Sequence, residues 1–195
     1  MQSPRTYPDA GSFVIRPADL GELDQLNAIE KEAASIFPID VLPASLQNIV
    51  LPINLLKEGV KNGSLWVASA NAEQSSPRIV AYALARLVKN AGHLAQIDVL
   101  PEFMRQGIGS ALVQTAIRWC SEAGLKELWL TTFEQIPWNA PFYSRFGFKT
   151  VTVGEQPLWI KQILKAEREI GLLGRVAMVL KPLADESEAR PPVKY

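Results

Sequence analysis

Apolar and polar positions along the chain alternate between two periods, and the switches between them outline an α+β domain. Ser12 to Arg16 reads as a short strand. Pro17 and Asp19 then open a helix from Leu20 to about Ser35, with Leu23, Leu26, Ile29 and Ala33 on one face. Ile36 to Ala44 holds two prolines and is predicted to be a loop. Ser45 is placed to cap a second helix reaching Lys61, where Asn62-Gly63 stops it; Pro52 implies a kink or a later start. Strands follow at Ser64 to Ala70, Ile79 to Val88 and His93 to Leu100, with turns at Asn71 to Arg78 and Lys89 to Gly92.

Two glycines in Arg105-Gln106-Gly107-Ile108-Gly109-Ser110 lead into a helix whose Ile108, Ala111, Leu112, Thr115, Ala116 and Trp119 recur at helical spacing to about Ser121. A strand over Glu127 to Phe133, a short helix over Asn139 to Phe146 and a strand over Phe148 to Val153 come next. A helix over Pro157 to Ile170 and a last strand over Arg175 to Lys181 complete the domain, expected to occupy 12–183. Residues 1–11 and 184–195 are polar or charged and proline-bearing, and read as flexible ends.

Composition adds mostly exclusions. Of 195 residues, 48% are hydrophobic and 21% charged, a globular balance. Twenty Lys+Arg offset twenty Asp+Glu, and no long basic stripe appears, so nucleic-acid and membrane-surface binding are not expected. A single cysteine, Cys120, excludes an internal disulfide framework and a cysteine-rich metal site. It is expected to be a buried or half-buried helix residue. With no apolar leader and no spanning run, the expectation is a soluble cytoplasmic protein, monomer or homodimer, with no metal.

The glycines carry the first chemical signal. At a strand-to-helix junction they let the backbone approach a ligand, and the helix behind offers free N–H groups and a positive dipole end, a cradle for pyrophosphate. A dinucleotide-binding loop would want a small residue at Leu112 and a parallel strand pattern before it. A Walker loop would want Gly-Lys-Ser/Thr. Neither is met.

Ile97-Asp98-Val99-Leu100-Pro101 leading into Arg105–Leu112, followed after one strand by Asn139-Ala140-Pro141-Phe142-Tyr143-Ser144-Arg145-Phe146-Gly147-Phe148, resembles the GNAT superfamily of N-acetyltransferases over nearly the whole chain. The resemblance implies a mixed, mostly antiparallel sheet of about seven strands flanked by helices. It also implies acetyl-CoA as cosubstrate, an amine acceptor and direct transfer. Carried over, Ile97 and Val99 would hold the pantetheine arm. Arg105, Gln106, Gly107, Ile108, Gly109 and Ser110 would hold the pyrophosphate, and a strand N–H near Val99 would polarise the thioester oxygen. A splay beside Leu130 would make room for the arm. Met104 stands where the family has a basic or amide side chain. Asn139 reads either as a helix cap or as a cofactor contact.

Tyr143 corresponds to the residue that protonates the departing thiolate, a task suited to a neutral phenol. Thr131 occupies a position where many members have a glutamate base. His93, the sole histidine, matches a strand position used for proton relay in one branch, although a residue beside Gly92 also reads as a turn or surface histidine. Glu134 and Asp98 are the alternative bases, and Glu30 and Glu32 on the first helix are placed to face an acceptor. Phe37 and Trp138 are candidates for the acceptor pocket, and Trp159 and Trp66 weaker ones. Glu167, Arg168 and Glu169 read as a solvated helix face. A small primary amine is the expected acceptor. A peptide amine would need an open groove, and an acyl-CoA-binding regulator would show no turnover.

Overall fold

The computed structural model describes residues 13–70 and 77–181; the expected flexible ends, 1–11 and 184–195, lie outside the described residues, as does most of the 71–78 turn. Strand β1 (Phe13–Pro17) is followed by a short 3-10 turn and helix α1 (Leu23–Ala34). The backbone N–H of Asp19 donates to Glu22 Oε2 at 2.8 Å and fixes the entry. Leu23, Leu26, Ile29 and Ala33 are buried, as the spacing predicts.

Helix α2 spans only Ile53–Lys61. Of the alternatives that Pro52 left, the later start holds and Ser45 is no cap: Leu46 and Gln47 N–H groups donate to Pro43 O in a turn, and Pro52 sits at the N-cap, where its missing N–H costs nothing. Strands β2 (Leu65–Ala70), β3 (Arg78–Val88) and β4 (Ala91–Val99) form an antiparallel run. The turn before β4 is tighter than predicted, with Ala91 and Gly92 already in the strand. Helix α3 (Ile108–Glu122) crosses over to β5 (Leu128–Phe133), and α4 (Ala140–Ser144) leads to β6 (Lys149–Thr150). That strand is shorter than the expected Phe148 to Val153 because a turn closes at once, Glu155 N–H donating to Thr152 O. Helix α5 (Leu158–Glu169) and β7 (Arg175–Leu180) end the domain.

The sheet order is β1-β2-β3-β4-β5-β7-β6, antiparallel except between β4 and β5. This is the α+β architecture that the motifs imply. Central strand β3 is buried on both faces from Ile79 to Ala85, so helices must cover both. Helix α3 covers one: a Cβ on Gly92 would lie 3.2 Å from Trp119 and 3.3 Å from Cys120 Sγ. Helices α1 and α5 cover the other, where Tyr82 reaches Glu30 and His93 meets Trp159.

Strand β4 carries two irregularities. A bulge at Ala95 interrupts its register with β3 between Leu84 and Ala85. Pairing with β5 is confined to Gly92↔Leu128 and His93↔Trp129, beyond which the two parallel strands diverge. The expected splay is present.

Candidate functional site

The divergence leaves one side of β4 unpaired. Leu100 N–H donates to Val80 O on β3, so by strand alternation the Asp98 amide also faces β3. The amides of Ile97 and Val99 therefore point into the gap. A groove of about 970 Å³ runs along it, bordered by Ile97, Asp98, Val99, Trp138 and Phe142.

At the groove's far end stands the glycine loop. Gly107 takes φ 86° as the N-cap of α3, a conformation that penalises any side chain. Arg105 takes φ 60°, unusual for a non-glycine residue. No side chain caps α3, so the Ile108, Gly109 and Ser110 N–H groups keep their hydrogen-bonding capacity. A Cβ at Gly109 would meet protein no closer than 3.5 Å, so the neighbours do not demand glycine there.

Arg105, Gly107, Gly109 and Ser110 line the groove, as does Met104. Two of the expected residues turn their side chains elsewhere. Ile108 buries its side chain in the core, and the Gln106 amide turns back to Glu102 O at 3.1 Å. Their backbone N–H groups, the atoms expected at a pyrophosphate, do not depend on those side chains. Arg145, not singled out from the sequence, adds a second cation on the groove wall, stacked 5.1 Å from the Phe142 ring.

A second cavity of about 330 Å³ opens from the same gap on the α1 side. Its roof is the 36–52 segment, contributing Phe37, Leu42, Leu46, Ile49 and Leu51, and its far wall is the end of α5 and the turn into β7. Roof and wall touch: a Cβ on Gly171 would lie 3.8 Å from Leu46 Cδ1. Groove and cavity share Phe37, Ile97, Asp98, Asn139 and Tyr143.

Tyr143 is buried at this junction between Phe142 and Phe148, with ring centroids 5.1 and 6.0 Å away. Burial pushes its hydroxyl well above the ordinary tyrosine value, so it stays a neutral donor at pH 7. Asn139 sits at the N-cap of α4, yet its side chain does not cap. Its backbone oxygen accepts from Phe142 and Tyr143, while its Oδ1 accepts from Thr132 Oγ1 at 2.8 Å.

Asp98 faces both spaces. Burial pushes its carboxyl up from 3.8 to about 7; the Gln96 amide, donating at 2.7 Å, pulls it down, and nearby Glu30 pushes it up again. Glu30 is itself buried and raised by desolvation. Its Oε2 accepts from the Tyr82 hydroxyl at 3.0 Å and from the Leu51 N–H at 2.9 Å. Glu32 is exposed on the opposite face of α1.

His93 and Glu134 lie apart from this junction. The bulge at Ala95 leaves His93 beneath α5, its ring 5.5 Å from Trp159 and its Nδ1 buried with no partner among the described residues. Burial, with Arg86 and Arg175 adding to it, lowers its pKa to about 4. It lines neither cavity and is neither a turn nor a surface residue. Glu134 is exposed beyond the end of β5 and also lines neither. Phe37 and Trp138 do border the site, 6.2 Å apart, whereas Trp159 packs on Trp129 and Trp66 on Trp119.

Glu167 corrects the reading of a solvated face. It is mostly buried and lines the cavity, accepting from Arg175 Nε and Nη2, both at 2.9 Å, and from Thr131 Oγ1 at 2.7 Å. It stands at i+7 from buried Ile160, on the apolar face of α5, which is the signal that reveals it. A carboxylate thus reaches Thr131 through space from another element.

Comparison with known proteins agrees with this geometry. The acetyltransferase (GNAT) family model matches residues 26–148, more than half of the chain. The fold is shared with a PaiA N-acetyltransferase from Thermoplasma acidophilum solved with coenzyme A (18% identity, 88% of this chain and 99% of that one, TM-score 0.60). It is shared too with the ribosomal-protein-S18-alanine N-acetyltransferase of Escherichia coli (20%, 90% and 97%, TM-score 0.59). A third is Arabidopsis thaliana Naa50 in complex with the bisubstrate analogue CoA-Ac-MVNAL (17%, 88% and 99%, TM-score 0.62). The chain belongs to the GNAT family of acetyltransferases.

Proposed function

We propose that this member of the GNAT family transfers the acetyl group of acetyl-CoA to a small primary amine by direct attack. The observation that carries this reading is the junction: a long groove ending at a phosphate-type loop meets a smaller, partly roofed cavity at Asp98 and Tyr143. The loop amides of 108–110, with Arg105 and Arg145, suit a pyrophosphate. The unpaired amides of Ile97 and Val99 suit the amides of a pantetheine arm, which would add to β4 as a short strand. Coenzyme A in the PaiA complex, and a CoA-bearing analogue in that of Naa50, accord with this fit.

Asp98 is the group we assign as base, ahead of His93 and Glu134, because it alone of the three borders both spaces. Its carboxylate takes the proton of the incoming ammonium. The freed nitrogen forms the C–N bond with the thioester carbonyl and then sheds its second proton to solvent, while the Val99 N–H stabilises the oxygen's charge. The Tyr143 hydroxyl gives its proton to the sulfur as the C–S bond breaks, and recovers one through Asp98 or solvent.

Proteins of similar fold include an N-acetyltransferase of a ribosomal protein's alanine. Here, though, the roof at 36–52 and the α5–β7 turn meet over part of the cavity and narrow it, which favours a small acceptor. A thiol-release screen of acetyl-CoA against amines, amino acids, polyamines and peptides tests the reading. Release dependent on an amine is expected. Tight CoA binding with no release from any amine would favour an acyl-CoA-binding regulator instead.

A further inference from the structure

The charges lining the acceptor cavity are unequal, and they restrict what it admits. Three carboxylates, Glu30, Asp98 and Glu167, face one cation, Arg175. The Arg175 guanidinium is committed: two of its nitrogens grip Glu167, and Nη2 also donates to Thr131 O and Oγ1. That pair neutralises itself. Glu30 and Asp98 have no such partner among the described residues. Oε2 of Glu30 is used by Tyr82 and Leu51, leaving Oε1 without a hydrogen bond in a residue that lines the cavity. Two such carboxylates in an apolar setting either hold protons, as the raised pKa values of both indicate, or are stabilised as anions by a cation between them.

The roof and far wall of the lining are hydrocarbon, while Gln96, Thr131, Thr132, Asn139 and Tyr143 put polar residues on the β4, β5 and α4 side. Leu42, Leu46, Ile49, Ile170 and Leu172 offer no donor beyond their backbones. The cavity's volume, about 330 Å³, lies at the small end for ligand pockets.

Resting on the acetyltransfer reading above, we propose that the acceptor is a primary amine with an apolar body and no carboxylate. Glu30 and Asp98 hold its ammonium head, and the roof segment covers its hydrocarbon. Glu30 is then a specificity-determining residue with two tasks. One oxygen ties the roof to the sheet through Leu51 and Tyr82, and the other meets the substrate. An amino acid is rejected because its carboxylate finds no uncommitted cation and two carboxylates nearby.

Matched acceptors that differ only in the carboxylate test this in the unaltered protein: 2-phenylethylamine against phenylalanine, and isopentylamine against leucine, with a short unblocked peptide as a third arm. The decarboxylated amine is expected to exceed its partner and the peptide in kcat/KM by at least about 100-fold. Glu30→Gln keeps an oxygen for Leu51 and Tyr82 while removing the charge. It should raise KM for 2-phenylethylamine about tenfold or more and leave KM for acetyl-CoA within about twofold. An amino acid or the peptide used as well as the plain amine, or an unchanged amine KM in Glu30→Gln, would overturn this proposal and leave acetyltransfer standing. Acetyl-CoA bound but no amine of any arm acetylated would overturn both.

Discussion

Asp98→Asn should make the protein more stable above neutral pH while removing most of its activity. The Asp98 carboxyl titrates at about 7 in the folded chain and near 3.8 when unfolded. Between those values the folded state holds a proton that the unfolded state has lost, so stability falls as pH rises. The contribution is fully present below about pH 4 and gone above about pH 7. A span of roughly three units at ~1.4 kcal/mol each sets a ceiling of ~4 kcal/mol. Asp98 is partly open to the spaces it lines, and solvent screening there reduces the penalty to ~2 kcal/mol.

Asparagine carries no such charge and still presents an oxygen to the Gln96 amide. For a chain this size ~2 kcal/mol corresponds to about 4–8 °C in Tm. Thermal melts of both proteins at pH 5 and pH 8 read this directly: the variant's advantage should widen at pH 8. In parallel, the wild-type kcat/KM should rise with an inflection at about 7, and the variant should lose the inflection and about 10²–10⁴ in rate. A variant that gains nothing at pH 8 and keeps the wild-type pH profile would show that Asp98 is neither strained nor the base.

Three further outcomes are expected from the geometry. Tyr143→Phe keeps the aromatic packing against Phe142 and Phe148 but removes the proton donor, so kcat should fall about 10²-fold with CoA affinity by calorimetry unchanged. Gly107→Val forces a β-branched residue to φ 86°, which should cost ~1–2 kcal/mol in chemical denaturation and weaken CoA binding at least tenfold. Glu167→Ala strands the half-buried Arg175 cation and cuts the tie from α5 to Thr131. Stability should drop by ~1–3 kcal/mol and KM should rise for the amine, not for acetyl-CoA.

The groove and loop of the proposed cofactor side were legible because they are local. Ile97–Ser110 forms a contiguous strand, loop and helix start, and its hydrogen-bonding capacity is set by backbone geometry that glycine spacing reveals. The acceptor half is assembled from Glu30, Tyr82, Asp98, Glu167 and Arg175, which lie on five elements and meet only through packing. His93 shows the limit. Counting along a regular strand places it level with the site, but the bulge at Ala95 and the cover of α5 bury it against Trp159. Glu30, at i+4 from Leu26 and i+7 from Leu23, shares their buried face, whereas Glu32 does not; what the spacing does not show is that Leu51 returns over α1 to donate to Glu30. Ser45 failed as a helix cap because the prolines at 43 and 52 hold the segment in turns and so make the roof.

The central claim is that groove and cavity are two halves of one acetyl-transfer site, and product analysis tests it most directly. Purified protein is incubated with acetyl-CoA and 2-phenylethylamine, and free CoA and N-acetylated amine are quantified together by mass spectrometry. Equal amounts of the two, lost together in Asp98→Asn, are predicted. Free CoA without acetylated amine, or acetylated amine formed as readily by the variant as by the wild type, would contradict it.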